Sequence, residues 1–287
     1  VRKSKFIKNL QKAKLSSESF FCLVVKLYGI KSINQYASYD IGDALIIEAV
    51  RKLNLIIPRE SIIGRITGNK FGILWSLTEE IQNTEHICKK IIGSLSNFIT
   101  IEGNQYNISI NIGGALYPQD SNNILQLINF ADMALEDSEI KGHNRYQLYN
   151  KEIGKKILRL NLLDQAIPQA IKEDQFYLKY QPTVNLKNKL VTGAEALLRW
   201  ESSHLGNVSP SEFIPRAESM GSIIALGECV LDKACAEAKV WSSLVEIPIR
   251  IGVNFSPIQL AEENIINFVV NTLKKYDLSP NNLDIEL

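Results

Sequence analysis

Apolar runs and helix-period stretches alternate along the first half of the chain. Residues 20–27 (FFCLVVKL) predict a buried strand, and 41–56 carry apolar positions at helical spacing. Residues 62–66 and 71–75 predict two strands joined by Thr67-Gly68-Asn69-Lys70, where the Gly-Asn step is expected to supply the positive φ of a tight hairpin. A helix is expected over 79–98, a strand over 108–116 with strict alternation at its start, and a helix over 124–139. This mixture predicts an α/β domain, a sheet flanked by helices, over residues 1–150.

Residues 151–171 place Ile153, Ile157, Leu160, Leu163 and Ile167 at helical spacing, so a connecting helix that couples the halves rigidly is expected rather than a flexible linker. From Gln175 the pattern becomes strand, loop, helix, strand: strands at 176–181, 194–200, 249–255 and from 283, with helices at 223–241 and 257–275. Repeated βα units predict parallel strands over residues 172–287, in an open sheet or a barrel.

Composition narrows the functional classes. The 287 residues are 45% hydrophobic and 22% charged, and 32 Lys and Arg against 31 Asp and Glu leave a net charge of +1. No basic field argues for DNA or RNA polymer as a partner. The longest apolar run, 20–25, is far short of the roughly 20 residues that span a bilayer, so no membrane segment is expected. Cys22, Cys88, Cys229 and Cys235 lack CxxC spacing, which speaks against a disulfide framework or zinc site and for the reducing cytoplasm. A start at Val1 and a stop at Leu287 inside a strand-like run suggest a piece of a longer protein.

In parallel sheets, residues at the carboxyl ends of strands face the ligand crevice. Gln181, Glu195, Asn254 and Glu286 occupy such positions, and alternation puts Glu195, Leu197 and Arg199 on one face. Two converging glutamates require a cation, because an unpaired buried carboxylate is very costly. Two carboxylates and an amide make an oxygen ligand set suited to Mg²⁺ or Mn²⁺. The planar fork of Arg199 suits a phosphate oxygen. The alternative is structural: Glu195 pairs with Arg199, Asn254 caps a helix, and Glu286 faces solvent.

Tyr180-Gln181-Pro182, Glu195-Ala196-Leu197-Leu198-Arg199-Trp200, the stretch from Pro210 to Glu218, Val253-Asn254-Phe255-Ser256 and Ile285-Glu286-Leu287 together resemble the EAL-domain family, phosphodiesterases that linearise cyclic di-GMP to pGpG. The resemblance implies a TIM-type (β/α) barrel, metal ligation by Glu195, Asn254 and Glu286, and substrate contacts from Gln181, Leu197 and Arg199. Only the first half of the roughly 250 residues of such a barrel is expected here, since the family's later paired aspartates and lysine have no counterpart and its general base is expected beyond Leu287.

Ile33-Asn34, Gly42-Asp43-Ala44-Leu45, the stretch from Gly64 to Phe71, Ile110 to Pro118, Ala131-Asp132-Met133-Ala134 and Gly142-His143-Asn144-Arg145 resemble the GGDEF family, the diguanylate cyclases. Here Asn69 and Lys70 stand where that family has two acids, and Lys26 stands where it has a metal-binding aspartate. The resemblance therefore implies a cyclase fold without cyclase activity. Pro58-Arg59-Glu60-Ser61 likewise lacks the family's Arg-x-x-Asp inhibitory site. Asn34 and Asp43 match its guanine-recognising pair, Lys26 and Lys70 could hold phosphate in place of the cation, and Glu139 stands where a phosphate-contacting lysine is usual. The expectation is a bacterial tandem GGDEF–EAL signalling protein, homodimeric, binding cyclic di-GMP, with GTP a candidate ligand of the degenerate GGDEF domain, whose parent hydrolyses cyclic di-GMP with Mg²⁺ or Mn²⁺; the alternatives are a non-catalytic cyclic di-GMP receptor and an interaction scaffold.

Overall fold

A computed structural model describes residue 6 and residues 19–59, 61–76, 84–244 and 249–287. The chain divides into two compact units, Val1–Leu158 and Arg159–Leu287. Among the described residues no helix is long and apolar enough to cross a membrane.

The first unit is built on β1 (Phe20–Tyr28), the middle strand of a sheet ordered β2 (Ile62–Thr67), β3 (Lys70–Ser76), β1, β6 (Ser109–Tyr117), β7 (Arg145–Leu148). Strand β1 is a continuous apolar run because both its faces are covered. Phe21, Leu23, Val25 and Leu27 pack in one core with residues of α2 (Tyr39–Ile56) and α3 (Thr84–Leu95), whereas Phe20, Cys22 and Val24 pack on α4 (Ile124–Ile140). The short helix α1 (Ile30–Tyr36) follows β1 directly. Helix α4 lies so close to β6 that a side chain at Gly113 would collide with the backbone of Ala131 and Leu135. The expected start of α3 near Glu79 lies outside the described residues.

Two sequence expectations change here. The β2–β3 hairpin forms, but neither Gly68 nor Asn69 has a positive φ. The register instead shifts between Arg65 and Thr67, a bulge that supplies the twist a primed turn would otherwise give. The loop is fastened from outside, since Leu27 N donates to Asn69 O at 3.0 Å and Asn69 Nδ2 donates to Leu27 O at 2.5 Å. An unexpected hairpin, β4 (Ile99–Ile101) with β5 (Asn104–Tyr106), turns at Glu102 and Gly103, whose φ values are 50° and 81°.

Helix α5 (Lys151–Lys172) has the extent expected of the connecting helix. In the second unit, β8 (Phe176–Val184) pairs antiparallel with β9 (Val191–Ser202), contrary to the expectation of parallel strands throughout. Their connection is a short turn closed by Asn185 N to Leu190 O at 2.9 Å, and parallel strands would need a crossover of a dozen or more residues. Such crossovers occur afterwards. Helices α6 (Pro210–Ser219) and α7 (Ile223–Leu244) lie between β9 and the parallel β11 (Arg250–Asn254), and α8 (Pro257–Leu260) and α9 (Ile265–Lys275) lie between β11 and the parallel β12 (Leu283–Glu286). The single helix expected over 257–275 is thus two. Short β10 (Gly206–Val208) pairs with the end of β9.

Candidate functional site

Register decides which side chains meet in the second unit. Gln181 lies opposite Glu195, Glu195 opposite Gly252, and Asn254 opposite Glu286. Ile251 and Val253 point into the core, so Gly252 and Asn254 occupy the other face, which Glu195, Leu197 and Glu286 share. Asn254 Nδ2 donates to Glu195 Oε1 at 2.7 Å. A side chain at Gly252 would collide with the Glu286 carboxylate and reach the Glu195 backbone, so this glycine leaves the clearing that the carboxylates occupy. The structure thus brings Glu195, Asn254 and Glu286 to one place, with Gln181 on the flanking strand.

Arg199 takes a different position. Its Nη1 donates to Leu198 O at 2.8 Å, and it lines a cavity of about 340 Å³ at the carboxyl ends of β9 and β11, with Leu197, Glu218, Asn254 and Ser256. Asn254 does not cap the next helix; Ser256 does, as half of a capping box with Gln259. Glu195 is held by Asn254 rather than by Arg199, whereas Glu286 is exposed.

In the first unit, the face of β1 that packs on α4 ends in Lys26, whose cross-strand partner on β3 is Lys70. Like charges directly opposite are destabilising, and each is neutralised from α4. Lys26 Nζ lies 2.6 Å from Glu139 Oε1, and Lys70 Nζ lies 2.7 Å from Asp132 Oδ1. Tyr28 donates its hydroxyl to the same Glu139 oxygen, and its ring lies 5.0 Å from Lys26 Nζ. Glu139, which stands where the family usually has a phosphate-contacting lysine, is therefore a partner of Lys26. Asn34 sits in α1, packed so tightly on Gly42 that a side chain there would strike its amide, and its Oδ1 is buried without a hydrogen-bond partner. Asp43, next to Gly42, is exposed in the second turn of α2; Ser38 is that helix's N-cap.

Two sequence families account for both halves. The diguanylate cyclase GGDEF-domain family matches residues 3–145, and the EAL-domain family matches residues 164–287. The chain belongs to the GGDEF–EAL tandem proteins. Among curated relatives it is 31% identical over 278 residues to the bifunctional diguanylate cyclase/cyclic di-GMP phosphodiesterase MucR of Pseudomonas aeruginosa, covering 97% of this chain and 40% of that protein. It is 32% identical over 261 residues to the signaling protein YkoW of Bacillus subtilis, covering 90% of this chain and 32% of that one. The chain thus spans well under half of these relatives' length. A solved GGDEF–EAL structure with its preceding helix, Vibrio cholerae LapD bound to c-di-GMP, aligns over 99% of this chain and 66% of its own, with a TM-score of 0.57 and 17% identity, a likeness of fold.

EAL domains as a family use divalent metal ions. The residues of this EAL unit fit one: two carboxylates and an amide share a clearing that Gly252 keeps free of a side chain. Among the described residues no three Asp, Glu, His or Cys side chains form such a group, so the amide of Asn254 is needed to complete the donor set. Gly252 is the residue sequence reasoning missed, although a glycine inside the apolar strand Ile-Arg-Ile-Gly-Val-Asn is itself a signal of close approach. Asp132 was the other omission, because no sequence signal pairs it with Lys70 across 62 residues.

Proposed function

We propose that this chain is part of a cyclic di-GMP signalling protein whose EAL unit binds cyclic di-GMP and, in the whole protein, hydrolyses it to linear pGpG, while its GGDEF unit is a non-catalytic regulator. The observation that carries the EAL reading is the gathering of Glu195, Asn254 and Glu286 around the Gly252 clearing. In this reading Glu195 and Glu286 hold Mg²⁺ or Mn²⁺ through carboxylate oxygens, and Asn254 turns its amide oxygen toward the ion. The ion, when bound, would polarise the phosphodiester and acidify a water. The Arg199 guanidinium, one donor of which is given to Leu198 O, donates to a phosphate oxygen through the rest of its fork, and Gln181 and Leu197 contact the dinucleotide from β8 and β9.

Titration calorimetry with cyclic di-GMP and Mn²⁺ tests this. Binding that needs Mn²⁺ and disappears in Glu195→Ala is expected; binding indifferent to both changes would remove the metal assignment.

For the GGDEF unit, the supporting observation is the facing pair Lys26 and Lys70, each held by its own carboxylate. Two ammonium groups and two spent carboxylates offer a divalent cation repulsion and no free ligand. Incubation with GTP and Mg²⁺ or Mn²⁺ should yield no cyclic di-GMP by chromatography, and any product would refute the assignment.

A further inference from the structure

Asn254, which meets the Glu195 carboxylate, stands at the end of β11, where a strand normally frays into its loop. Here the next two residues are held on three sides. Phe255 N donates to Glu286 O at 2.8 Å, which ties the loop to β12. Ser256 N donates to Gln259 Oε1 at 2.9 Å, closing the capping box of α8, and Gln259 is itself buried, packed on Gly227 of α7. The third hold is unlike these. Ser256 Oγ donates to Glu218 Oε1 at 2.6 Å, from a carboxylate on α6 that is 38 residues away in sequence.

The same serine oxygen accepts from Ile258 N at 3.3 Å, so the hydroxyl works in both directions, as cap and as donor. A cap needs only one side-chain oxygen, which Ser256 supplies itself, and no second acceptor beyond it. Glu218 is therefore superfluous to the helix start. Its carboxylate lines the cavity that Arg199 and Asn254 also line. Charge-assisted hydrogen bonds are shorter and stronger than neutral ones, and the 2.6 Å separation is of that kind.

We infer that Glu218 is a positioning residue for the EAL site: through Ser256 it fixes the backbone after β11, and so the direction in which Asn254 presents its amide. The inference rests on the metal reading only for its consequence at the ion. The placement of Asn254 is a property of the protein alone.

The test uses this chain and two readouts, Mn²⁺ affinity by calorimetry and the side-chain amide resonance of Asn254 in metal-free protein. Glu218→Ala and Ser256→Ala should each weaken Mn²⁺ about tenfold, as loss of an outer support around metal ligands typically does. The double variant should be no worse than either single one, since both remove one link. Glu218→Gln should stay near the wild type, because its amide oxygen still accepts from the serine hydroxyl. In Glu218→Ala the Asn254 resonance should broaden or double while the thermal midpoint holds. Unchanged affinity together with an unchanged Asn254 resonance would overturn the inference. If the wild type binds no Mn²⁺ but the resonance still responds to Glu218→Ala and not to Glu218→Gln, the metal reading fails and the positioning role stands.

Discussion

At the scale of single residues, burial and charge sort groups that composition treats alike. Burial, with a smaller contribution from Asp132, pushes the Cys22 thiol up to about 12, and burial with Glu85 does the same for Cys88. Burial and Asp232 raise Cys235 to about 11. Cys229 is half-buried; burial raises it as well, but Lys233 pulls it partly back. A thiol with a value near 12 is about one part in ten thousand thiolate at pH 8, and the thiolate is the reactive species. A disulfide reagent at pH 8 should therefore modify one thiol of the native chain quickly, identified as Cys229 by peptide mapping, and all four after unfolding. Fast labelling of Cys22 or Cys88 would contradict the buried environment given to them. Lys26 and Lys70 are sorted by partners instead. Read from sequence, they were available to hold phosphate; in the structure their charge is already used by Glu139 and Asp132. If the GGDEF unit takes a guanine nucleotide through Asn34 and Asp43, the phosphates add little. Guanosine and GTP should then bind within a few-fold of each other in EDTA, and GTP binding much more tightly would mean that phosphate displaces the two carboxylates.

At the scale of elements, helix α5 is tied into the first unit by one buried carboxylate. Asp137 of α4, 2% exposed, lies 2.6 Å from both Lys141 and Lys156. Burial alone would raise its carboxyl, but the hydrogen bonds from Lys141 and Lys156 outweigh that and hold it below the ordinary value. A depressed carboxyl contributes stability above the unfolded value, about 3.9, and loses it as pH falls through the folded value. Asp137→Ala should cost about 1–3 kcal/mol at neutral pH, and its deficit against the wild type should shrink below about pH 4 in denaturant titrations. In the second unit Trp200 is fully buried between Phe176 and Phe213, with ring centroids 5.1 and 5.7 Å away. Trp200→Ala should cost about 3–5 kcal/mol. These elements also show what the sequence made legible. Apolar period found β1, β6, β11, α2, α4 and α7, because burial dictates period. It could not find β4, β5 or β10, three residues each, which are too short to show one. It also misjudged β8 against β9, since alternation reports a strand's faces and not its direction. The short connection of 185–190 held that information. Helix α6 was hidden for another reason: Pro215 inside it breaks the helical reading, although Ser209 and Pro210 mark its start.

At the scale of the whole chain, charge decides how a dianionic ligand is recognised. A net charge of +1 over 287 residues gives almost no long-range attraction, so recognition depends on the few charges at the EAL site. Motif resemblance located those residues, but only strand register showed that Glu195 and Glu286 flank Gly252, and only side-chain placement showed Asn254 bonded to Glu195. Without a cation, Glu195, Glu286 and Glu218, which lines the same cavity, oppose one nearby arginine, Arg199, and Arg250 is engaged 3.6 Å from Asp284. The local balance is then two negative charges facing a ligand that carries two. A bound divalent ion cancels that balance. Two opposite unit charges at about 4 Å interact by roughly 1 kcal/mol in water and roughly 4 kcal/mol at an effective dielectric near 20. Removing the metal with EDTA should therefore weaken cyclic di-GMP binding at least about tenfold. The salt dependence of the metal-loaded chain should be shallow, because the charges in contact lie well inside the roughly 10 Å Debye length at 0.1 M and none is in excess. Fluorescence titrations at 50 and 300 mM salt, each with Mg²⁺ and with EDTA, check both statements together. Tight binding in EDTA would mean that the protein's own cations hold the phosphates, and Lys179, on the face shared with Leu197, would then be the residue to substitute first.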